Sequence, residues 1–388
     1  MDFRFDEEQQ DLKTSVEGFA RRELAPHALR RAHEAGYSWD LSRLIAKQGL
    51  LGLTIPADKG GQGGTLMDAV IAIEAVASSC PKSADIVQAG NFGAVRTFAE
   101  YASDELRHRL LPGFLSGERL LGLGMTEPEA GSAVTELTTS ARRHGDEYVV
   151  NGTKIFSTHS PDATHYLVYV RFGPGLGGIG SIVIDRRAPG LSVGSPSAFM
   201  SGEEWSQLYF ENCRVPASDL LLGPGGFKKQ ISGFNVERIG NAARSLALGR
   251  YAFNQAREHA KLRHQFGRPL MEFQGLQWMF ADMAVALESA QLLLYKAALN
   301  ADSGLPSAYD TAVAKLACNT AGFSASNASL QIMGGLGYSQ ESLVEYCVRR
   351  TRGWQIAGGS TEMLKNRIAE SIFETHFSQR PRKGVNES

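Results

Sequence analysis

Residues 354–366 read WQIAGGSTEMLKN: two glycines, then Ser360 and Thr361, then a helical pattern. Backbone amides at such a turn can bind an anion or polarise a carbonyl. The same letters suit an ordinary N-cap, and the stretch alone leaves both readings open. Its central ionised side chain, Glu362, falls inside the predicted helix. A second carboxylate, Glu237, lies within a longer predicted helix. Gly233 is four residues before it and Gly240 three after, so the three share a face. A helix-interior glycine costs about 1 kcal/mol relative to alanine. Two of them around one carboxylate suggest a gap beside it, and a surface glutamate next to Arg238 is the alternative.

Other stretches carry weaker chemistry. In MTEPEAGSAV (125–134), Thr126, Gly131 and Ser132 bring hydroxyls and a glycine to a strand end. That suits hydrogen bonds to a polar heterocycle or a phosphate, and equally a solvated loop. In LRHQFGRPLMEFQ (262–274), Arg263 and Phe266 follow a long helix. They could pair with phosphate and stack on a ring, or be a helix-end charge and a core aromatic. LQIMGGLGYS (330–339) ends a helix with Gln331, Gly334 and Gly335, and a glycine cap explains most of it. GPGLGG contains the GxGxxG spacing, but a strand, IGSIVID, follows it where a dinucleotide site needs a helix. A hairpin loop is the better reading.

These residues must be positioned by three regions. Residues 1–120 read helical, with stretches near 39–50, 66–79, 91–102 and 104–117. The opening helix is expected to stop before Pro26. Residues 121–226 read as short strands, and Asn151-Gly152 within EYVVNGTKIF predicts a hairpin turn. Residues 227–388 return to long helices, including one over about 307–333 and another from Thr361. Long helices with short joints predict an antiparallel bundle, so the fold class is α+β.

The 388 residues carry a net charge of -1, with 43% hydrophobic and 21% charged side chains. That excludes a basic footprint for nucleic acid. No apolar run approaches the ~18 residues of a membrane span. The acidic start MDFRFDEEQQ does not read as a secretory signal. Cys80, Cys213, Cys318 and Cys347 lack metal-ligand spacing and read as reduced thiols in the cytoplasm, with no metal site expected.

Taken together, MTEPEAGS, VNGTKIFST, RHQFGRPLMEFQ, LQIMGGLGY and the closing loop-helix resemble the acyl-CoA dehydrogenase family, nearly end to end and in family order. The resemblance implies an N-terminal helical domain, a middle β domain, a C-terminal four-helix bundle, non-covalent FAD and a homotetramer. Met125, Thr126, Gly131 and Ser132 match contacts to the flavin and pyrophosphate, and Ser132 also matches a contact to CoA. Phe156 stands where many members have a tryptophan against the isoalloxazine, and Thr158 matches a hydrogen bond to that ring. Arg263, Phe266, Gln274, Gln331, Gly334 and Gly335 match FAD contacts from a neighbouring subunit. Ser360 and Glu362 match positions near the ribose. Asn235 and Arg238 fall beside the expected substrate chain, where several members have Asp in place of Asn235.

The implied reaction removes two hydrogens from an acyl thioester. A carboxylate takes the α-proton and flavin N5 accepts a hydride from the β-carbon. Implied partners are an acyl-CoA or carrier-protein thioester and an electron-transfer flavoprotein or similar acceptor. In most members the base is a glutamate in the closing loop, and here that position is Gly358. A minority carry the base on the first bundle helix, which aligns with Glu237. The expectation is therefore Glu237 as base, with the Gly358 N–H polarising the thioester carbonyl. A reductase, a carrier-protein acyl dehydrogenase, an oxidase or monooxygenase, and a non-catalytic subunit are the alternatives. The acidic-aromatic run MSGEEWSQ, with Glu203, Glu204 and Trp205, departs from the family pattern and has no sequence-level explanation.

Overall fold

The computed structural model describes residues 5–301 and 305–378. Seven helices come first: α1 (Glu7–Phe19), α2 (Ala28–His33), α3 (Trp39–Lys47), α4 (Leu66–Ala77), α5 (Ala84–Asn91), α6 (Gly93–Tyr101) and α7 (Asp104–Leu115). Reciprocal capping boxes start two of them, Asp6 with Gln9 and Thr65 with Asp68. Each box satisfies amides that a helix end leaves free. The first helix gives up its α geometry earlier than Pro26 demands. A π-helical turn over Ala20–Leu24 follows Phe19 directly.

The middle region is one sheet. Its strands are β1 (Leu121–Gly124), β2 (Ser140–His144), β3 (Glu147–Thr158), β4 (His165–Arg171), β5 (Ile179–Asp185), β6 (Leu191–Val193), β7 (Ser197–Ala198), β8 (Glu204–Pro216) and β9 (Leu220–Leu222). The spatial order is β6-β8-β3-β2-β4-β5-β9, with β1 beside β4 and β7 beside β8. β4 and β5 pair antiparallel, so GPGLGG between them is a hairpin loop. Asn151-Gly152 is not a turn. β3 runs straight through it, paired to β2 on one side and β8 on the other. A register shift lies between Val150 and Gly152. A Cβ on Gly152 would sit 2.5 Å from Thr139 Oγ1, so glycine serves a close approach there. The hairpin turn lies upstream, at Gly145 (φ 64°).

The last region holds α8 (Phe227–Leu262), a small ribbon of β10 (His264–Gln265) and β11 (Arg268–Pro269), then α9 (Gln274–Leu299), α10 (Ala308–Met333), α11 (Gly335–Tyr338), α12 (Leu343–Trp354) and α13 (Thr361–Ile372). α8, at 36 residues, is the spine. Val236, Ile239, Leu246 and Leu248 on α8 join α4, α9 and α10 in one buried cluster. Gly249 and Gly322 let the α8 and α10 backbones nearly touch, since a Cβ on Gly249 would lie 2.6 Å from Gly322 Cα.

Candidate active site

Glu237 projects from α8 toward the start of α6. A Cβ on Gly93 (φ 66°) would stand 3.3 Å from its Cδ and Oε2. The glycines flanking Glu237 do other work than expected. A Cβ on Gly233 would meet Thr97 Oγ1 at 2.6 Å, and one on Gly240 would meet the Phe92 ring at 2.7 Å and Gln88 Cγ at 2.9 Å. They let α5 and α6 press against α8, which closes the wall around the carboxylate instead of opening a gap. Burial pushes the Glu237 carboxyl up to about 7, against the pull of Lys315 and Arg238. A carboxylate so desolvated is a much stronger base than one in water.

The loop after α12 is held from beneath. Lys315, wholly buried on α10, donates from Nζ to the carbonyls of Trp354 (3.1 Å), Ala357 (2.9 Å) and Gly359 (3.0 Å). Burial pulls this amine down to about 7, Arg238 adds to the fall, and Glu237 opposes it. Three carbonyl acceptors call for three N–H donors, which only the ammonium form has, so we take Lys315 as charged. Asn319 adds a bond to the Trp354 carbonyl at 2.7 Å. Arg238 Nε donates to the Gly358 carbonyl at 3.2 Å, and its Nη1 to Asn235 Oδ1 at 3.0 Å. The loop carbonyls thus point inward. Among the described residues, no acceptor takes the Gly358 N–H.

Gly358 (φ 70°) and Gly359 (φ 94°) occupy backbone that other residues rarely adopt. A Cβ on Gly358 would also lie 2.6 Å from Asn241 Nδ2. Ser360 is the N-cap of α13, accepting from the Met363 amide at 3.4 Å. The two readings of this stretch therefore hold together: it is a helix start and a turn with a free amide. Glu362 is exposed in the first turn of α13, where its own amide and Ser360 keep its carboxyl low.

The remaining sequence candidates form two separate surfaces. Met125 and Thr126 are half-buried, while Gly131, Ser132, Phe156 and Thr158 are exposed, on the loop after β1 and the stretch of β3 whose Ile155 amide donates to the Thr126 carbonyl at 2.9 Å. Arg263, Phe266, Gln274, Gln331, Gly334 and Gly335 are exposed at the far ends of α8 and α10. From residue 237 to residue 263, at ~1.5 Å per helical residue, is ~39 Å. One chain does not bring the second of these surfaces to Glu237.

The family models for the acyl-CoA dehydrogenase N-terminal, middle and C-terminal domains match residues 6–118, 122–213 and 224–373, in that order. The chain belongs to the acyl-CoA dehydrogenase family. It is 33% identical to a 3-sulfinopropanoyl-CoA desulfinase of Paraburkholderia xenovorans, over 97% of this chain and 99% of the relative. The butyryl-CoA dehydrogenase structure from Megasphaera elsdenii superposes with a TM-score of 0.90 at 29% identity, covering 96% of this chain and 100% of that one. A structure of PigA with FAD and proline gives 0.91 at 25% identity, covering 96% and 99%.

FAD is the cofactor of this acyl-CoA dehydrogenase, and the residues present fit it. Phe156 holds a left-handed backbone (φ 56°) beside a register shift between Lys154 and Ser157, yet its ring is 52% exposed. A strained, uncovered aromatic of this kind is typical of a ligand platform. Trp205, paired with Thr158 across β3 and β8, puts its ring 4.6 Å from that of Phe156. The loop at 125–132 is rigid. Lys154, fully buried, donates to Glu127 at 2.8 Å and to the Met125 carbonyl at 3.1 Å. Burial would raise the Glu127 carboxyl, but Lys154 and the Thr138 and Thr139 donors hold it at about 2. Nothing lies within 4 Å of a Cβ on Gly131, Gly334 or Gly335, so these backbones are free to meet a ligand.

Sequence reasoning missed several positioning groups. Glu203, unexplained at first, is buried and pairs with Arg350 at 3.2 Å. Arg350 pairs in turn with Asp85 at 3.3 Å, and Asp85 also pairs with Arg244. One charged cluster so joins the sheet, α12, α5 and α8. Trp354 lies between the two arginines, 4.6 Å from Arg244 and 4.5 Å from Arg350. It is also the residue whose carbonyl Lys315 and Asn319 hold, so the cluster anchors the start of the active-site loop.

Proposed function

We propose that this chain is an FAD-dependent α,β-dehydrogenase of acyl thioesters in which Glu237 removes the α-proton. The observation that carries this reading is the half-buried Glu237 side chain, whose carboxyl desolvation raises to about 7 beside a loop with an untaken amide. A cleft of about 320 Å³, lined by Lys228, Ser232, Asn235, Arg238 and Arg367 among others, leads along α8. Its three cations suit the phosphates of a CoA-type tail, with Asn235 held by Arg238 beside the chain. The Gly358 N–H then donates to the thioester carbonyl and makes the α-C–H more acidic. Glu237 takes that proton at a carboxylate oxygen and becomes the neutral acid, which burial favours. Phe156 and Trp205 would hold FAD, which would supply the acceptor for the β-hydrogen as hydride. Ser360 and Glu362 would meet the ribose of the cofactor.

A second copy of the chain supports the other half of the cofactor. Phe266 and Gly267 form the two-residue turn of the β10–β11 hairpin, which sets their left-handed backbones (φ 53° and 78°), and this places the Phe266 ring 94% exposed, open to a covering ligand or partner. Trp278, Val285, Leu292 and Leu299 on α9 are also exposed, seven residues apart, as an apolar stripe needs. We read this face as the homo-oligomer contact, in a tetramer. An electron-transfer flavoprotein or similar acceptor reoxidises the enzyme. Free, buried cysteines suit a reducing cytoplasm, and no helix among the described residues is long and apolar enough to cross a membrane.

Anaerobic titration of the FAD-loaded protein with a panel of acyl-CoA thioesters tests the reading. Bleaching of the flavin band, with one 2-enoyl-CoA formed per flavin, is expected. A loaded protein that no saturated thioester bleaches would overturn it.

A further inference from the structure

A line of polar side chains behind the site has a fixed direction. Arg244 can only donate, and its Nη1 meets Gln88 Oε1 at 2.7 Å. Gln88 therefore presents Nε2 at its other end, and this meets Asn241 Oδ1 at 2.6 Å. Asn241 in turn presents Nδ2. That amide nitrogen is fully buried, has no hydrogen-bond partner among the described residues, and lies 2.6 Å from where a side chain on Gly358 would begin. Asn241 is four residues after Glu237 on α8, so the two side chains leave the same face about 6 Å apart. A buried donor without an acceptor is costly, and such a group beside a reacting centre calls for a partner to complete it.

We propose that Asn241 is a substrate-recognition residue whose Nδ2 donates to a neutral acceptor oxygen, a hydroxyl or carbonyl, on the acyl chain. This oxygen lies within a few atoms of the carbon that gives its proton to Glu237. The inference rests on the dehydrogenase reading above and adds the class of acyl group. A neutral acceptor fits because the nearby positive charges are committed. Arg244 pairs with Asp85, and Lys315 spends its three donors on loop carbonyls. Glu237, one turn away, would repel an anionic acyl terminus. A plain alkyl chain would leave the Asn241 N–H unpaired, and a site built around a donor discriminates against such an analogue.

The test compares 4-hydroxybutanoyl-CoA and 4-oxopentanoyl-CoA with pentanoyl-CoA and glutaryl-CoA on the FAD-loaded oligomer. The wild type should favour the hydroxy or oxo thioester over pentanoyl-CoA by at least ~10-fold in kcat/KM. In Asn241→Leu that preference should vanish or reverse. Asn241→Asp keeps the shape and the acceptor facing Gln88, so it guards against a folding defect, and it should lose the preference too. Binding of the same four thioesters to the Glu237→Gln enzyme, followed by calorimetry, gives the ranking without turnover. Equal bleaching by pentanoyl and 4-hydroxybutanoyl thioesters, or a preference that survives both substitutions, overturns the inference and leaves the dehydrogenase reading standing. A clear preference for glutaryl-CoA overturns the neutral class. If no thioester bleaches the flavin, the dehydrogenase reading fails, and the calorimetric ranking still decides what Asn241 recognises.

Discussion

Glu237→Gln separates chemistry from stability because the same burial controls both. Burial raises the carboxyl from 4.5 to about 7. At ~1.36 kcal/mol per pKa unit, the folded protein is held back by up to ~3 kcal/mol once the group ionises. The folded pKa is the higher one. The stabilising contribution of the neutral acid is therefore complete below pH 4.5 and is lost as pH rises through about 7. Glutamine keeps the shape and never ionises. The variant should match wild type near pH 4.5 and gain on it with pH, its advantage growing by ~2 kcal/mol between pH 5.5 and 8. Urea unfolding of both proteins at fixed protomer and FAD concentration measures this. Turnover should move the other way, falling by ~10²–10⁴-fold, while the yellow flavin stays bound. In wild type, kcat/KM should rise with pH up to about 7 and then level. A variant that turns over normally, or a stability difference that does not change with pH, would refute the assignment of a desolvated base.

Gly358→Glu, which puts a carboxylate at the commoner family position, should fail to rescue Glu237→Gln. The backbone there is left-handed and Asn241 Nδ2 stands 2.6 Å from the new Cβ. Even Gly358→Ala should lower stability by ~1–3 kcal/mol, read by denaturant midpoint. Lys315→Met removes the ammonium that gathers three loop carbonyls, and should raise KM and cut kcat together while FAD content holds. Glu203→Gln leaves Arg350 short of a buried partner and should cost ~3–5 kcal/mol by thermal or urea unfolding. Phe266→Ala should leave the circular dichroism spectrum unchanged and release FAD, as flavin fluorescence in the filtrate would report.

The order of helices, sheet and helices was legible because the apolar period changes from 3.6 to 2 and back. The errors have physical causes. Asn-Gly signals a turn only where no strand competes, and β3 is paired on both sides through Asn151-Gly152. α12 escaped because its buried face carries Glu345 and Arg350, which a hydrophobic pattern cannot register. Glu345 pairs with Arg349 one turn on and with His33 across the fold, while the partners of Arg350, Asp85 and Glu203, lie elsewhere in the chain. Glu237 was singled out partly for a reason the structure does not bear out. Its flanking glycines did mark something unusual, but what they mark is helix contact. Lys315 and Asn241 gave no local signal at all, since each meets its partners across the fold.

A carboxylate on a flexible loop must be fixed by that loop in each catalytic cycle. Glu237 sits instead on the helix that forms the spine of the protein, with α5 and α6 pressed against it through Gly233 and Gly240. Rigid elements hold reacting groups more precisely than loops do. In the proposed mechanism the loop carries no catalytic side chain, and its backbone becomes the working part. Left-handed glycines turn the carbonyls inward to Lys315 and Arg238, which leaves the Gly358 N–H for a substrate. Asn241 occupies the direction a loop side chain would have taken. With Glu237 as the proposed base, a carboxylate placed at position 358 instead would require both a new backbone conformation and the removal of Asn241.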